Sequence, residues 1–316
     1  MAEPMTRLDQ VLEATRPYPV KRVCVAVAED QTVLAAVRDA RAQNVADAVL
    51  VGDEAKIRPA AEELGYDLSG VQVVQAQDPV LAAERAANLV RQGQADILMK
   101  GHLHTDDFLR AVLNKETGLR TGSTMSHVFI LETQHLNRLT FVTDGAMNIA
   151  PGLEQKAAII LNAVYLANIF GLSRPKVAVV CAVELVNPNM PATLEAAALA
   201  AMSRRGQFPD CEVDGPLGLD NAVSLVAAQH KGIGGPVAGQ ADILLVPNIE
   251  AGNMLAKSFS YFAQGRVAGV LVGAAAPVVL TSRSDTAEAK LYSIATAVLM
   301  ANLQRSGRLK LGRVHY

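Results

Sequence analysis

The sequence is short of almost everything that announces a function at a glance. It has no excess of either charge, with 29 Lys+Arg against 31 Asp+Glu in 316 residues, a formal net charge of −2 that offers no field for a polyanion. Nucleic acid is therefore not its partner. It has no Trp, and its mean hydropathy of +0.20 comes mainly from Ala, Val and Leu spread evenly along the chain. The longest weakly polar runs, 157–170 and 267–280, are broken by Asn, Gly or Pro, and a spanning helix needs about 17 apolar residues or more, so no membrane partner is expected. The amino end, MAEPMTRLDQVLEATRP, carries no apolar signal core, and a cytoplasmic location follows as the expectation. Cys24, Cys181 and Cys211 cannot all pair, and two of them sit inside apolar runs, which reads as reduced core thiols. No GK[ST] stands for a P-loop, no GxSxG for a serine-hydrolase elbow, and no HExxH or Cys/His spacing for a metal. No fixed-period repeat or low-complexity tract is present.

What is present is alternation. Short Val/Ile/Leu runs alternate with longer Ala-rich segments of helical period, the pattern of α/β architecture with a mainly parallel sheet covered on both faces. Strands are predicted at 21–28, 47–52, 71–76, 96–101, 127–132, 139–144, 176–183, 211–215, 242–248, 267–273 and 277–282. Helices fill the gaps between the first four, with Asp30, Asp53 and Asp78-Pro79 as their starts. Further helices are predicted at 153–170 and 286–304, and the length suits about two domains.

In an open parallel sheet the ligand lies beyond the carboxyl ends of the strands. Those ends are polar here: Lys100-Gly101-His102, Thr143-Asp144-Gly145, Glu184 with 187–189, Asp214-Gly215, 247–253 and 281–285. The segment TSRSDTAEAK (281–290) sets hydroxyls, a guanidinium and a carboxylate at a helix start, where free N–H groups favour an anion and Arg283 can fork a phosphate or carboxylate. Capping by Ser282/Asp285 or Asp285/Glu288 is compatible with that. The stretch 100–127 gathers Lys100, Arg110, Lys115, Arg120 and three histidines before the turn Thr121-Gly122-Ser123, and reads as a polar loop suited to a phosphoryl or acyl-phosphate group. His102, His104 and Asp106 raise a metal reading that no ligand spacing supports. The Gly-rich run 231–240 is a flexible connection without a nucleotide fingerprint.

Taken in order, KGHLHTDDFLRAVLNKETGLRTG (100–122), TDGAMNIAPGLEQK (143–156), LVNPNMPATLEAA (185–197), DGPLGLDNAVS (214–224), PVAGQADILLVPNIEAGNMLAKS (236–258) and LTSRSDTAEAKLYSIA (280–295) resemble the phosphate acetyl/butyryl transferase family. NPNMPATLEAA and VLTSR look closer to the butyryl branch. The resemblance implies transfer of a short acyl group between coenzyme A, as substrate, and phosphate to give acyl phosphate, with no bound cofactor or metal. It implies two α/β/α domains of the isocitrate-dehydrogenase type with a cleft between them, here 1–145 plus 279–316 and 146–278, in a homodimer or larger assembly. It makes Ser282 the donor to the reacting oxygen and Arg283 a phosphate ligand, with Arg120, beside Thr121 and Gly122, as the second phosphate cation. It places Asp144 and Asn148 at the cleft, and Asn248, Gly252, Asn253 and Lys257 near the coenzyme.

Two departures stand out against the acetyl branch. The carboxylate assigned there as base lies seven positions after the motif serine, where this chain has Ala289, so Asp285 is the expected substitute, with Glu288 behind it. Ala256 stands where that branch commonly has Tyr. Two rivals remain open at this point: a metal- and NAD-dependent decarboxylating dehydrogenase, for which Asp214, Asp220 and Asp242 make a poor triad, and a non-catalytic coenzyme A-binding protein.

Overall fold

A computed structural model describes residues 3–133, 136–305 and 311–315. Along the chain run α1 (Asp9–Thr15), β1 (Lys21–Ala26), α2 (Gln31–Ala42), β2 (Ala46–Gly52), α3 (Glu54–Glu63), β3 (Gln72–Gln75), α4 (Pro79–Arg91), β4 (Ile97–Lys100), α5 (Thr105–Leu113), β5 (Ser126–Glu132) and β6 (Thr140–Thr143). There follow α6 (Leu153–Ile169), β7 (Lys176–Val180), α7 (Pro191–Arg204), β8 (Glu212–Leu217), α8 (Leu219–Val223), α9 (Leu225–His230), β9 (Ile243–Leu245), α10 (Ile249–Tyr261), β10 (Arg266–Val272), β11 (Val278–Val279) and α11 (Ala287–Arg305).

Contacts divide the chain into two compact units. The first comprises Asp9–Ser123 and Ala268–Arg308, the second Met1–Leu8, Thr124–Val267 and Leu309–Tyr316. These cuts fall upstream of the positions near 145 and 278 named from the sequence. The reason is pairing: β5 lies antiparallel to β6, and β6 parallel to β9, which ties both strands to the second unit, while β10 pairs with β11 and so joins the first.

In the first unit the strand order is β3-β2-β1-β4-β11-β10, parallel except for the β10–β11 pair. The chain steps outward from β1 to β2 and β3, then returns to lay β4 on the other side of β1. That reversal is the topological switch point at which open α/β sheets open a crevice beyond their strand ends. The strands are apolar on both faces because helices cover them. Helix α4 lays Ala82, Ala83, Ala86, Ala87 and Val90 inward, and small side chains let it pack closely. Asp30, Asp53 and Asp78 cap α2, α3 and α4 by accepting the backbone N–H of Val33, Ala55 and Leu81, as their positions predict.

In the second unit the order is β5-β6-β9-β7-β8. Helix α6 is buried nearly all round, from Ala157 to Ile169, and so lacks a polar face. The β6 and β9 ends lie together, where Val246 N–H donates to Thr143 O at 2.9 Å.

Two segments differ from the sequence reading. Stretch 100–127 is not all loop: Thr105–Leu113 is helical, burying Phe108, Ala111 and Val112 on one face. The polar run after β9 is likewise the start of α10, capped by Asn248, whose side chain accepts the Ala251 N–H at 3.0 Å.

Candidate active site

The first unit gathers a charged cluster at its switch point. Strand β11 runs parallel to β4 with Val278 opposite Leu98 and Val279 opposite Met99, so the turn that follows β11 emerges beside Lys100. On the other side Ala26 pairs with Lys100, and the chain leaves β1 through Val27, whose φ of 60° is a strained left-handed conformation for a β-branched residue. Val27 O and Ala26 O accept the N–H of His102 and Gly101 at 2.8 and 2.9 Å. Gly101 is required there, since a Cβ on it would lie 2.1 Å from Val27 O.

The Ser282–Asp285 turn is tied from within. Asp285 Oδ2 accepts the Ser282 N–H at 2.7 Å, Ser282 O accepts the Asp285 N–H at 3.2 Å, and the Ser282 and Ser284 hydroxyls lie 2.9 Å apart. Helix α11 then begins just after Thr286, whose hydroxyl accepts the Ala289 N–H at 3.1 Å. Beneath the turn sits Lys290, 1 % exposed, its Nζ donating to Ser282 O at 3.3 Å and to Asp285 O. Arg283 projects exposed from the turn.

Two lysines are thus buried beside an arginine. Lys100 is 2 % exposed and, among the described residues, donates only to Gly101 O, at 3.4 Å. Burial, together with the positive charge of Arg283 and Lys290, lowers its pKa to about 8 against the partial opposition of Asp285 and Asp30. Burial also lowers the pKa of Lys290, again opposed by Asp285 and Asp30. Asp30 closes the cluster. Burial disfavours its charge, but hydrogen bonds from Thr32 and Val33, with Lys290 and His102 nearby, hold its carboxyl below the ordinary value. His102 Nδ1 lies 3.3 Å from Asp30 Oδ2.

Arg120, Thr121 and Gly122 belong to the same unit. The Thr121 hydroxyl donates to Gly273 O at 2.7 Å, and Ala275 N–H donates to Leu119 O at 2.9 Å, which docks this turn on the segment leading into β11. Gly122 has a φ of 85°. Arg120 is exposed at the rim of an open cavity of about 750 Å³ along α5, which Arg110 and Lys115 also line.

The remaining expected residues lie in the second unit. Asp144 is buried and organises its own loop, accepting the N–H of Ala146 and Met147 at 2.9 and 3.0 Å and the Asn148 side-chain amide at 2.6 Å. Asn148 also reaches Met125 O at 2.9 Å. Gly145 and Gly252 touch backbone to backbone, and Asn253 Nδ2 donates to Gly145 O at 3.2 Å. On α10, Gly252 and Ala256 form the buried face, whereas Lys257 is exposed one turn from Asn253.

The aspartates weighed for a metal are each occupied separately. Asp214 accepts the Gly215 N–H, Asp220 pairs with Lys231 at 3.0 Å, and Asp242 accepts the Lys176 N–H at 2.8 Å. Among the described residues no three His, Cys, Asp or Glu side chains group as a metal site.

The family model described as phosphate acetyl/butaryl transferase matches residues 7–84 and 76–298. The chain belongs to the phosphate acetyl/butyryl transferase family. It is 50 % identical over 293 residues to the phosphate butyryltransferase of Clostridium acetobutylicum, covering 93 % of this chain and 97 % of that one. It is 45 % identical over 294 residues to the phosphate acetyltransferase of Thermotoga maritima, covering 93 % and 99 %. Its fold matches that of a branched-chain phosphotransacylase from Enterococcus faecalis with a TM-score of 0.78 at 34 % identity, over 89 % of this chain and 99 % of the other. Of the charged cluster, the motif turn was visible in the sequence, while the burial of Lys100 and Lys290 and the part of Asp30 were not.

Proposed function

We propose that this enzyme interconverts acyl-CoA plus phosphate with acyl phosphate plus coenzyme A, with the Ser282–Asp285 turn as its reacting centre. The observation that carries the assignment is the gathering of Lys100 at the end of β4 and Lys290 on α11 around Arg283, on the turn that bears the family's Ser-Arg motif. A phosphoryl group that must leave as a multiply charged anion calls for such cations. Arg283 binds the phosphate, with Arg120 as a second cation. The Ser282 hydroxyl donates to the oxygen on which charge develops as the thioester or acyl phosphate becomes tetrahedral. Asp285 holds the turn by its bond to the Ser282 N–H. Asp144, Asn148, Asn248, Gly252, Asn253 and Lys257 are assigned to coenzyme binding by their match to the family's motifs. The acyl group is short, acetyl or butyryl, and no metal or prosthetic group takes part. The enzyme works in the cytoplasm as a homodimer or larger assembly.

The test is thiol release by the purified protein from acetyl-CoA or butyryl-CoA, with and without phosphate. Phosphate-dependent release is expected, and the ratio of kcat/KM values names the acyl group. A folded protein that binds coenzyme A yet releases no thiol from either would replace the enzyme with a binding protein.

A further inference from the structure

We infer that the Lys100 side-chain amine is the proton carrier of the transfer, taking the thiol proton of coenzyme A and handing it to the phosphate oxygen that leaves. The inference rests on the acyl transfer proposed above and adds the group that moves its proton. In the direction of acyl-CoA, the neutral amine accepts the proton from sulfur, and the sulfur electron pair forms the C–S bond to the acyl carbon. The tetrahedral intermediate then collapses, breaking the C–O bond to phosphate. The lysine ammonium returns its proton to that oxygen, so that hydrogen phosphate departs and the amine is neutral again. One proton passes from sulfur to oxygen and no co-reactant is needed. The reverse reaction runs the same path backwards.

Four observations point to Lys100 rather than to a carboxylate. The position where the acetyl branch has its base is Ala289, which is buried. Asp285 Oδ2 is engaged by the Ser282 N–H, and Glu288 Oε1 accepts the Tyr292 hydroxyl at 2.8 Å. The two buried lysines are partnered unequally. Lys290 donates to two turn carbonyls, which keeps its ammonium in demand as a brace, whereas among the described residues Lys100 has one long bond, to Gly101 O. Finally, the β4–β11 register sets Lys100 beside the turn that carries Ser282 and Arg283. An ammonium with few acceptors and cations for neighbours gives up its proton readily.

The groups that face it support this. Asp30 reaches it from the β1–α2 connection, with His102 on Asp30; Arg283 and Asp285 reach it from the turn, and Lys290 from α11. The buried face of α4, which packs on β4, is Ala82, Ala83, Ala86, Ala87 and Val90. Burial and the two cations outweigh the two carboxylates, and the amine titrates at about 8, so an appreciable fraction is neutral where a base must work.

The experiment measures kcat/KM for acyl phosphate plus coenzyme A from about pH 6 to 9.5 in the wild type, Lys100→Arg, Lys100→Met and Asp285→Asn. Far-ultraviolet circular dichroism melts accompany each variant. The wild-type rate is expected to rise tenfold per pH unit and level off near pH 8. Both lysine variants should lose about 10²–10⁴-fold at neutral pH. Their rates should then keep climbing with pH, because only the thiol's own ionisation is left. Asp285→Asn should lose less and keep the plateau. Lys100→Arg with near wild-type rate and profile would make Lys100 a fixed charge and overturn the inference. So would a loss of the plateau in Asp285→Asn alone, or equal losses in both lysine variants with the plateau unmoved. A wild type without phosphate-dependent turnover overturns the parent function and this inference with it.

Discussion

A lysine buried at the end of an apolar strand costs stability unless its charge is answered, and Lys100 is answered poorly. Its pKa falls from the ordinary 10.5 to about 8, so between those values the unfolded chain binds the proton and the folded one does not. Stability attributable to this residue is therefore lowest below pH 8 and recovers as pH rises from 8 towards 10.5. Lys100→Met should consequently stabilise the protein at pH 7, by about 1–3 kcal/mol, while abolishing most turnover. Urea unfolding of the two proteins at pH 7 and pH 10 checks this, and the gap should shrink at the higher pH. Should the Met variant instead be less stable at pH 7, the amine would be there for structure. Lys290 has the opposite character: its carbonyl partners lose their donor if it is truncated. Nothing in the sequence distinguishes the two, since a Lys after ILM and a Lys in an Ala-rich helix both look exposed. Their burial is made by segments far apart in the chain, and that is why it was not legible.

At the scale of elements, the strands were legible because each is a short apolar run flanked by a cap or turn signal. Asp30, Asp53 and Asp78 even marked their helix starts to the residue. Helix α5 was hidden because its first turn, Thr105-Asp106-Asp107, is as polar as the loop around it, and its buried face is only Phe108, Ala111 and Val112. Asp144 also read differently alone and in place. As a polar residue after β6 it looked like an open site group, whereas its oxygens are filled by the loop it turns. The contact between that loop and α10 is set by two glycines. A Cβ on Gly252 would stand 2.7 Å from Gly145 Cα and 2.8 Å from Asp144 O, so Gly252→Ala must push the helix off the loop. The expected outcome is a loss of about 1–3 kcal/mol in denaturant melts with a raised KM for coenzyme A. An unchanged KM beside that loss would confine this contact to stability.

For the whole molecule, the transfer as proposed is written without a divalent cation, and exhaustive chelation is expected to leave turnover within error of the untreated enzyme. Phosphate should protect the fold, since a ligand at 100 times its Kd adds about 2.7 kcal/mol to the native state. In Arg283→Gln that protection should shrink together with a rise in the phosphate KM, while protection by coenzyme A stays. Differential scanning fluorimetry with each ligand separates the two.

The first unit is also written in two pieces, Asp9–Ser123 and Ala268–Arg308, and the charged cluster takes Lys100 from one and the Ser282 turn with Lys290 from the other. During synthesis Lys100 leaves the ribosome some 10–40 s before its turn does, at roughly 5–20 residues per second. Through that interval β4 lacks β11 as a neighbour and α11 as a cover. A nascent chain therefore has no competence until the Ser282 turn and α11 have been made, and fragments released before them cannot consume acyl phosphate.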